Sequence, residues 1–173
     1  MGGLGLGYTA RTVLEDARVG SLVVVDALPE VIEWHQRGLL PLGAQLTSDA
    51  RTRLVHGDFF AMAASAHGLD PDSPGRRFHA ILVDIDHSPR QLLHQSHAAL
   101  YQPAGLRRLA AHLHPRGVFA LWSNDPPDDE FKAALADVFA TSHAQVVTFH
   151  NPLQDRNAAS TIYVARTSDD GAA

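Results

Sequence analysis

The 173-residue sequence contains no cysteine. That absence excludes a disulfide framework, thiolate metal sites and a cysteine nucleophile together. Long hydrophobic runs are missing too: residues 22–25 and 80–83 are among the longest, and a bilayer span takes about 20 apolar residues. No basic-then-apolar leader opens the chain, so a soluble, cytoplasmic protein without a membrane partner is expected. Lysine is almost absent, with Lys132 alone against 13 arginines, and the net charge is −5. A nucleic-acid partner calls for a basic face. The small basic stretch of Arg107, Arg108, His112, His114 and Arg116 is better explained as a solvated helix face. What the sequence does hold is apolar residue, 45% against 19% charged, enough for a core and wrong for a disordered chain or coiled coil.

The ordering signal along the chain is alternation. Residues 21–26 (SLVVVD), 80–84 (AILVD) and 118–122 (VFALW) read as buried strands, because short β-branched runs bounded by turn residues suit a sheet covered on both faces. Residues 53–56 form a shorter strand before Gly57 and Asp58. Helices are predicted over 8–17, 29–37, 105–114 and 128–139, with Thr9 and Asp128 as caps and Glu130 in the last helix's first turn. Two further strands, 144–149 and 161–165, close the chain across a polar connection at 151–159. Residues 1–166 are expected to form one α/β domain with a frayed tail over 167–173. Its sheet should be three-layered and mostly parallel, with an antiparallel carboxy-terminal edge. In such sheets ligands bind beyond the carboxyl ends of the strands. Asp26, Asp58, Asp84, Asp86 and residues 123–125 therefore carry the functional interest.

The opening Gly2-Gly3-Leu4-Gly5-Leu6-Gly7 precedes a helix and lies 19 residues before Asp26. Glycines let backbone approach a ligand, and a helix start favours electron-rich groups. An acid closing the next strand suits a ribose diol. Tyr8 stands where a dinucleotide fingerprint wants its third glycine, which leans towards an S-adenosylmethionine-type nucleoside rather than NAD. Such a loop should follow a central strand, yet Met1 stands directly before Gly2. A start placed too late or a truncation is the expectation, since a sheet without its central strand leaves two rows of unpaired backbone groups.

GGLGLGYTA, VVVDALPEVIEWH, RLVHGDFF, FHAILVDIDHSP and LRRLAAHLHPRGVFAL together resemble spermidine-synthase-like proteins. These are the polyamine aminopropyltransferases and their relatives of the class I methyltransferase fold, and the resemblance covers about residues 1–166. It implies that Gly3, Gly5 and Gly7 line the nucleoside, Asp26 holds the ribose and Asp58 sits beside the adenine. Asp84 would match the family's catalytic aspartate, which helps remove a proton from the attacking amine. A protonated amine, with a pKa of about 10, has no lone pair to offer. The co-substrate would be decarboxylated S-adenosylmethionine or methylthioadenosine, the acceptor a small amine, and the expected assembly a homodimer. Two departures stand out. The family's D-x-x-D-P segment reads Asp84-Ile85-Asp86-His87-Ser88-Pro89 here, and its amino-terminal β-rich domain has no counterpart in this sequence. Asp86 is the candidate substitute for the second carboxylate, and His87 the candidate base.

Three functions follow as expectations: aminopropyl transfer, methyl transfer from S-adenosylmethionine to a small molecule, and nucleoside binding without catalysis. Asp125-Pro126-Pro127-Asp128 lacks the aromatic of the amino-methyltransferase motif and follows the wrong strand, so a helix entry capped by Asp128 is preferred. His87, His94 and His97 lack zinc spacing, and no metal is expected. Trp34 and Trp122 are expected to pack, and Tyr101 could shape a substrate pocket.

Overall fold

Residues 1–153 and 155–170 are described in a computed structural model of the chain. The apolar runs form strands where the sequence places them, though β1 starts one residue later, at Leu22, and β3 runs from Phe78 to Val83 and stops short of Asp84. β1 (Leu22–Asp26) pairs in parallel with β2 (Thr52–His56), and β3 (Phe78–Val83) pairs in parallel with β4 (Leu113–Ser123). β4 pairs antiparallel with β6 (Arg156–Arg166), which pairs along its length with β5 (Thr141–Asn151). Met1 and Gly2 join the two halves: Gly2 bridges in parallel to Val25 on one side and Val83 on the other. The spatial order is therefore β2, β1, the Met1–Gly2 stub, β3, β4, β6, β5. The expected gap at the central strand is thus closed at its carboxyl end, where the glycine loop begins.

Alternation along β1 decides the layers. Val23 and Val25 face a core with Phe59, Leu106, Leu109 and Leu135, while Leu22 and Val24 face a second core with Met1, Ala10, Leu14, Ile32 and Leu46. Helices α1 (Tyr8–Glu15), α2 (Pro29–Gln36) and α3 (Gly43–Ser48) cover the second face. Helices α4 (Phe59–Ala64), α5 (Pro103–Ala110) and α6 (Asp129–Val138) cover the first. Each fully buried Leu, Phe or Val contributes roughly 1.5–3 kcal/mol, so both sides of the sheet are anchored.

Several expectations need correction. Helices α3 and α4 and a 3₁₀ turn (Gln95–Ala99) lie where no helix was predicted. The helix expected over 105–114 starts earlier, at Pro103, and stops at Ala110. His112 is buried with Nε2 against the Ala63 carbonyl at 3.1 Å, and Leu113 already belongs to β4. Thr9 is not a cap; Gly7 fills that position, and Thr9 lies inside α1. Asp128 does cap α6, accepting from the Phe131 N–H at 3.0 Å. The connection expected over 151–159 is shorter, because β5 runs to Asn151 and β6 begins at Arg156; Gln154 lies outside the described residues. Thr167 and Ser168, placed in a frayed tail, are held: Thr167 N–H donates to Gly117 O and Arg116 N–H to Ser168 O. Residues 171–173 of that tail lie outside the described residues. No helix among the described residues is long and apolar enough to cross a membrane.

Candidate functional site

The carboxyl ends of β1 and β3 meet the glycine loop, the end of β2 meets that of β1, and backbone bonds fix both meetings. Gly2 N–H donates to Leu82 O, Gly3 N–H to Val25 O, Asp84 N–H to Gly2 O, and Gly57 N–H to Asp26 O. Gly3 has φ +88°, and a Cβ there would stand 2.1 Å from the Asp84 carbonyl oxygen, so no other residue fits. A Cβ at Gly5 would meet nothing within 4 Å; its outer side is open to a ligand. Gly7 ends the loop as the residue before α1. Beneath the loop, fully buried His35 holds the Gly5 carbonyl with Nε2 at 2.9 Å, while its Nδ1 has no partner. Neutral imidazole with Nε2–H donating fits that geometry. His35 was not singled out from the sequence; its helical position gave no local signal.

Each acid has a distinct setting. Asp26 is half-buried; its Oδ2 accepts from Leu4 N–H at 2.8 Å and Oδ1 from Leu28 N–H at 2.9 Å. Lone pairs remain on both oxygens for a diol. Asp58 is exposed at the start of α4, where Oδ1 accepts from Phe60 N–H and Ala61 N–H. Asp84 is exposed at the end of β3, and Oδ2 accepts from Thr9 Oγ1 at 3.0 Å. Leu6 in the loop, Tyr8 at the start of α1 and Leu28 just after β1 leave more than half their surface exposed, an apolar rim beside the carboxylates. Trp34 is also half-exposed, contrary to the expectation that it packs.

Asp86 does not join Asp84. It is 2% exposed and turned inward, accepting from Leu93 N–H at 2.8 Å, His97 Nδ1 at 2.8 Å and Tyr101 Oη at 2.8 Å. Burial, followed by the Asp86 charge, pushes the Tyr101 phenol well above its ordinary pKa. His97 stacks flat on Phe60 with centroids 3.7 Å apart. Asp86 therefore organises the segment after β3 and offers no free carboxylate to an amine. His87, by contrast, is exposed, and its carbonyl accepts from Asn124 N–H. The Asp86–His97 pair escaped the sequence because a separation of 11 residues across an irregular segment has no periodicity. Among the described residues, no three His, Asp or Glu side chains are grouped to hold a metal ion.

A hollow of about 500 Å³ lies beyond this segment, lined by Arg90, Tyr101, Gln102, Asp128 and Phe131. Asp125 and Asp128 border it or its neighbour. Asp125 is taken up by Ser88 and Gln91, and Asp128 by Arg90 and its capping bonds. Tyr101, buried beneath it, lines this hollow.

No protein-family model matches the sequence, and no curated protein is significantly similar to it. Solved structures do match. Spermidine synthase from Thermotoga maritima is 19% identical with a TM-score of 0.66, over 98% of this chain and 52% of that one. Human methyltransferase-like protein 13, solved with SAH, is 19% identical with a TM-score of 0.66, over 96% of this chain and 69% of that one. The N-methyltransferase NodS from Bradyrhizobium japonicum, also with SAH, is 12% identical with a TM-score of 0.62, covering 96% and 75%. The chain spans about half the length of the spermidine synthase. At such identities the likeness establishes architecture: the chain has the Rossmann-like α/β fold of class I methyltransferases, with antiparallel strands at one edge of its sheet.

Proposed function

We propose that the chain binds an adenosyl-sulfonium nucleoside at the Gly3–Gly7 loop and is a transferase, with methyl transfer from S-adenosylmethionine to a small molecule favoured. The observation that carries this is the convergence of an open Gly5, the Asp26 carboxylate and the exposed Asp84 at neighbouring strand ends, where Leu4 and Thr9 bond the two acids. The fit is chemical: the loop leaves room for the nucleoside, and Asp26 keeps acceptor capacity for two hydroxyls. When bound, the nucleoside supplies an electrophilic carbon next to a cationic sulfur. Asp84, steadied by Thr9, would orient the acceptor and take its proton. The rim of Leu6, Tyr8 and Leu28 would limit water.

Methyl transfer is preferred because Asp86 is buried by His97 and Tyr101. A cationic amine would then meet one carboxylate, not two. The exposed Asp84 supports aminopropyl transfer as the second reading, with decarboxylated S-adenosylmethionine as its donor. Thermal-shift titration with S-adenosylmethionine, its decarboxylated form, SAH and methylthioadenosine separates the two. A ligand at 100 times its Kd stabilises by about 2.7 kcal/mol, a rise of roughly 5–10 °C for a chain of this size. S-adenosylmethionine and SAH should give it, and Asp26→Ala should weaken both at least tenfold. Preference for the decarboxylated form would move the assignment to aminopropyl transfer, and no shift with any of the four would overturn it.

A further inference from the structure

The crest of the glycine loop is a tight turn, and a buried side chain decides which way its central peptide faces. Gly7 N–H donates to Leu4 O at 2.8 Å and closes the turn, with Gly5 (φ +48°) and Leu6 between them. The Gly5 carbonyl is turned onto His35, whose Nε2 lies 2.9 Å away. His35 is 0% exposed, and its ring makes no other hydrogen bond among the described residues. The chain is built closely around it. A Cβ on Gly7 would stand 2.9 Å from His35 Cε1, and one on Gly43 2.7 Å from the His35 carbonyl oxygen. Close packing of this kind holds the ring at one setting.

Peptide geometry gives the consequence. The C=O and N–H of a trans peptide point in opposite directions. With Gly5 O directed into the core, the Leu6 N–H is directed away from it, towards the surface of the loop. Leu6 is 55% exposed, and its N–H has no acceptor among the described residues. Glycine at position 5 would tolerate the peptide turned over; the loop would then offer a ligand an acceptor in place of a donor. His35 selects the donor. The charges that bond the loop make the choice matter. Asp26 at Leu4 and Asp84 at Thr9 are both acids, which draw in a sulfonium or an ammonium and repel a carboxylate. A carboxylate brought to this loop needs an N–H to replace its lost water. We infer that His35 is a positioning residue for donor selection: by fixing the Gly5 carbonyl it aims the Leu6 N–H at the carboxylate of an adenosyl sulfonium that carries an amino-acid group. This rests on the nucleoside reading proposed above and narrows it to a carboxylated donor.

Isothermal titration tests this with three ligands. SAH is compared with S-adenosyl-3-thiopropylamine, which differs by the carboxylate alone, and with methylthioadenosine, which lacks the amine as well. His35→Phe keeps a ring in the space and removes the donor. It should weaken SAH about tenfold or more and leave the other two within about threefold. His35→Gln, which carries an N–H at similar reach, should bring SAH back to within about threefold of the native chain. A residue that served stability alone would weaken all three ligands together. In the native chain, SAH should move the Leu6 amide proton downfield in a nitrogen-edited NMR spectrum and the decarboxylated form should not, a readout that needs neither variant to fold. Equal weakening of all three ligands by His35→Phe, no rescue by His35→Gln, or a Leu6 amide unmoved by SAH would overturn the inference and leave nucleoside binding in place. Failure of all three to bind the native chain would overturn the nucleoside reading, and this inference with it.

Discussion

Asp84 and Asp86 are two residues apart and should point alike if β3 continued, yet one is exposed and the other 2% exposed. β3 ends at Val83, so strand periodicity no longer applies to either. The Asp84 carboxylate accepts from the Thr9 hydroxyl, whereas that of Asp86 is met by two side chains, His97 and Tyr101, and by the Leu93 N–H. Removing a charge from a buried network strands its donors at about 1–3 kcal/mol. Asp86→Asn should therefore lower Tm by roughly 4–8 °C while leaving SAH affinity within about threefold. Asp84→Asn should leave Tm within about 2 °C and reduce turnover at least a hundredfold. Calorimetry and single-turnover assays of the two variants check this, and similar losses of stability in both would refute the division of roles. From the sequence, Asp84 was readable because it closes an apolar run. The inward turn of Asp86 was not, because His97 and Tyr101 come to it only in the folded chain.

Met1 and Gly2 form the shortest element of the sheet, and one whose energetics depend on pH. Burial lowers the Met1 ammonium from 8.0 to about 5, since low dielectric disfavours the charged form. The folded chain then holds fewer protons than the unfolded one between about pH 5 and 8, so stability rises with pH across that window. Acidification from pH 8 to 5 should cost on the order of 4 kcal/mol from this group. The chain carries eleven histidines and 19 acidic residues besides, so the comparison must be with the Nα-acetylated chain. Urea unfolding at pH 8 and 5.5 should show a smaller loss for the acetylated protein; equal losses would remove the Met1 contribution. Elsewhere, element legibility followed length and pattern. The apolar strands were readable because they are nearly continuous. Helices α3 and α4 have six residues each, too short for a 3.6-residue period to show. The early start of β4 was hidden by Arg116, at φ 60°, and Gly117, which interrupt the run before Val118.

At the scale of the whole molecule, the layered fold was legible because alternating apolar strands and helices admit few architectures. The candidate site was legible at the glycine loop and where an acid closes a strand. The positioning groups His35 and Thr9 reach it from other elements. One consequence belongs to no single residue. The stub that closes the sheet is continuous with the loop that would hold the nucleoside: Met1 bonds Val23 and Val25, Gly2 bonds Leu82 and Asp84, and Gly3 begins the loop. A nucleoside seated on the loop would therefore order the stub with it. SAH at saturation should slow hydrogen exchange at least fivefold at the Gly2, Gly3, Val25 and Asp84 amides, whose bonds join the stub to β1 and β3. Slowing confined to the Leu4 amide would show that the stub is uncoupled from the ligand, and that the loop is held by β1 and β3 alone.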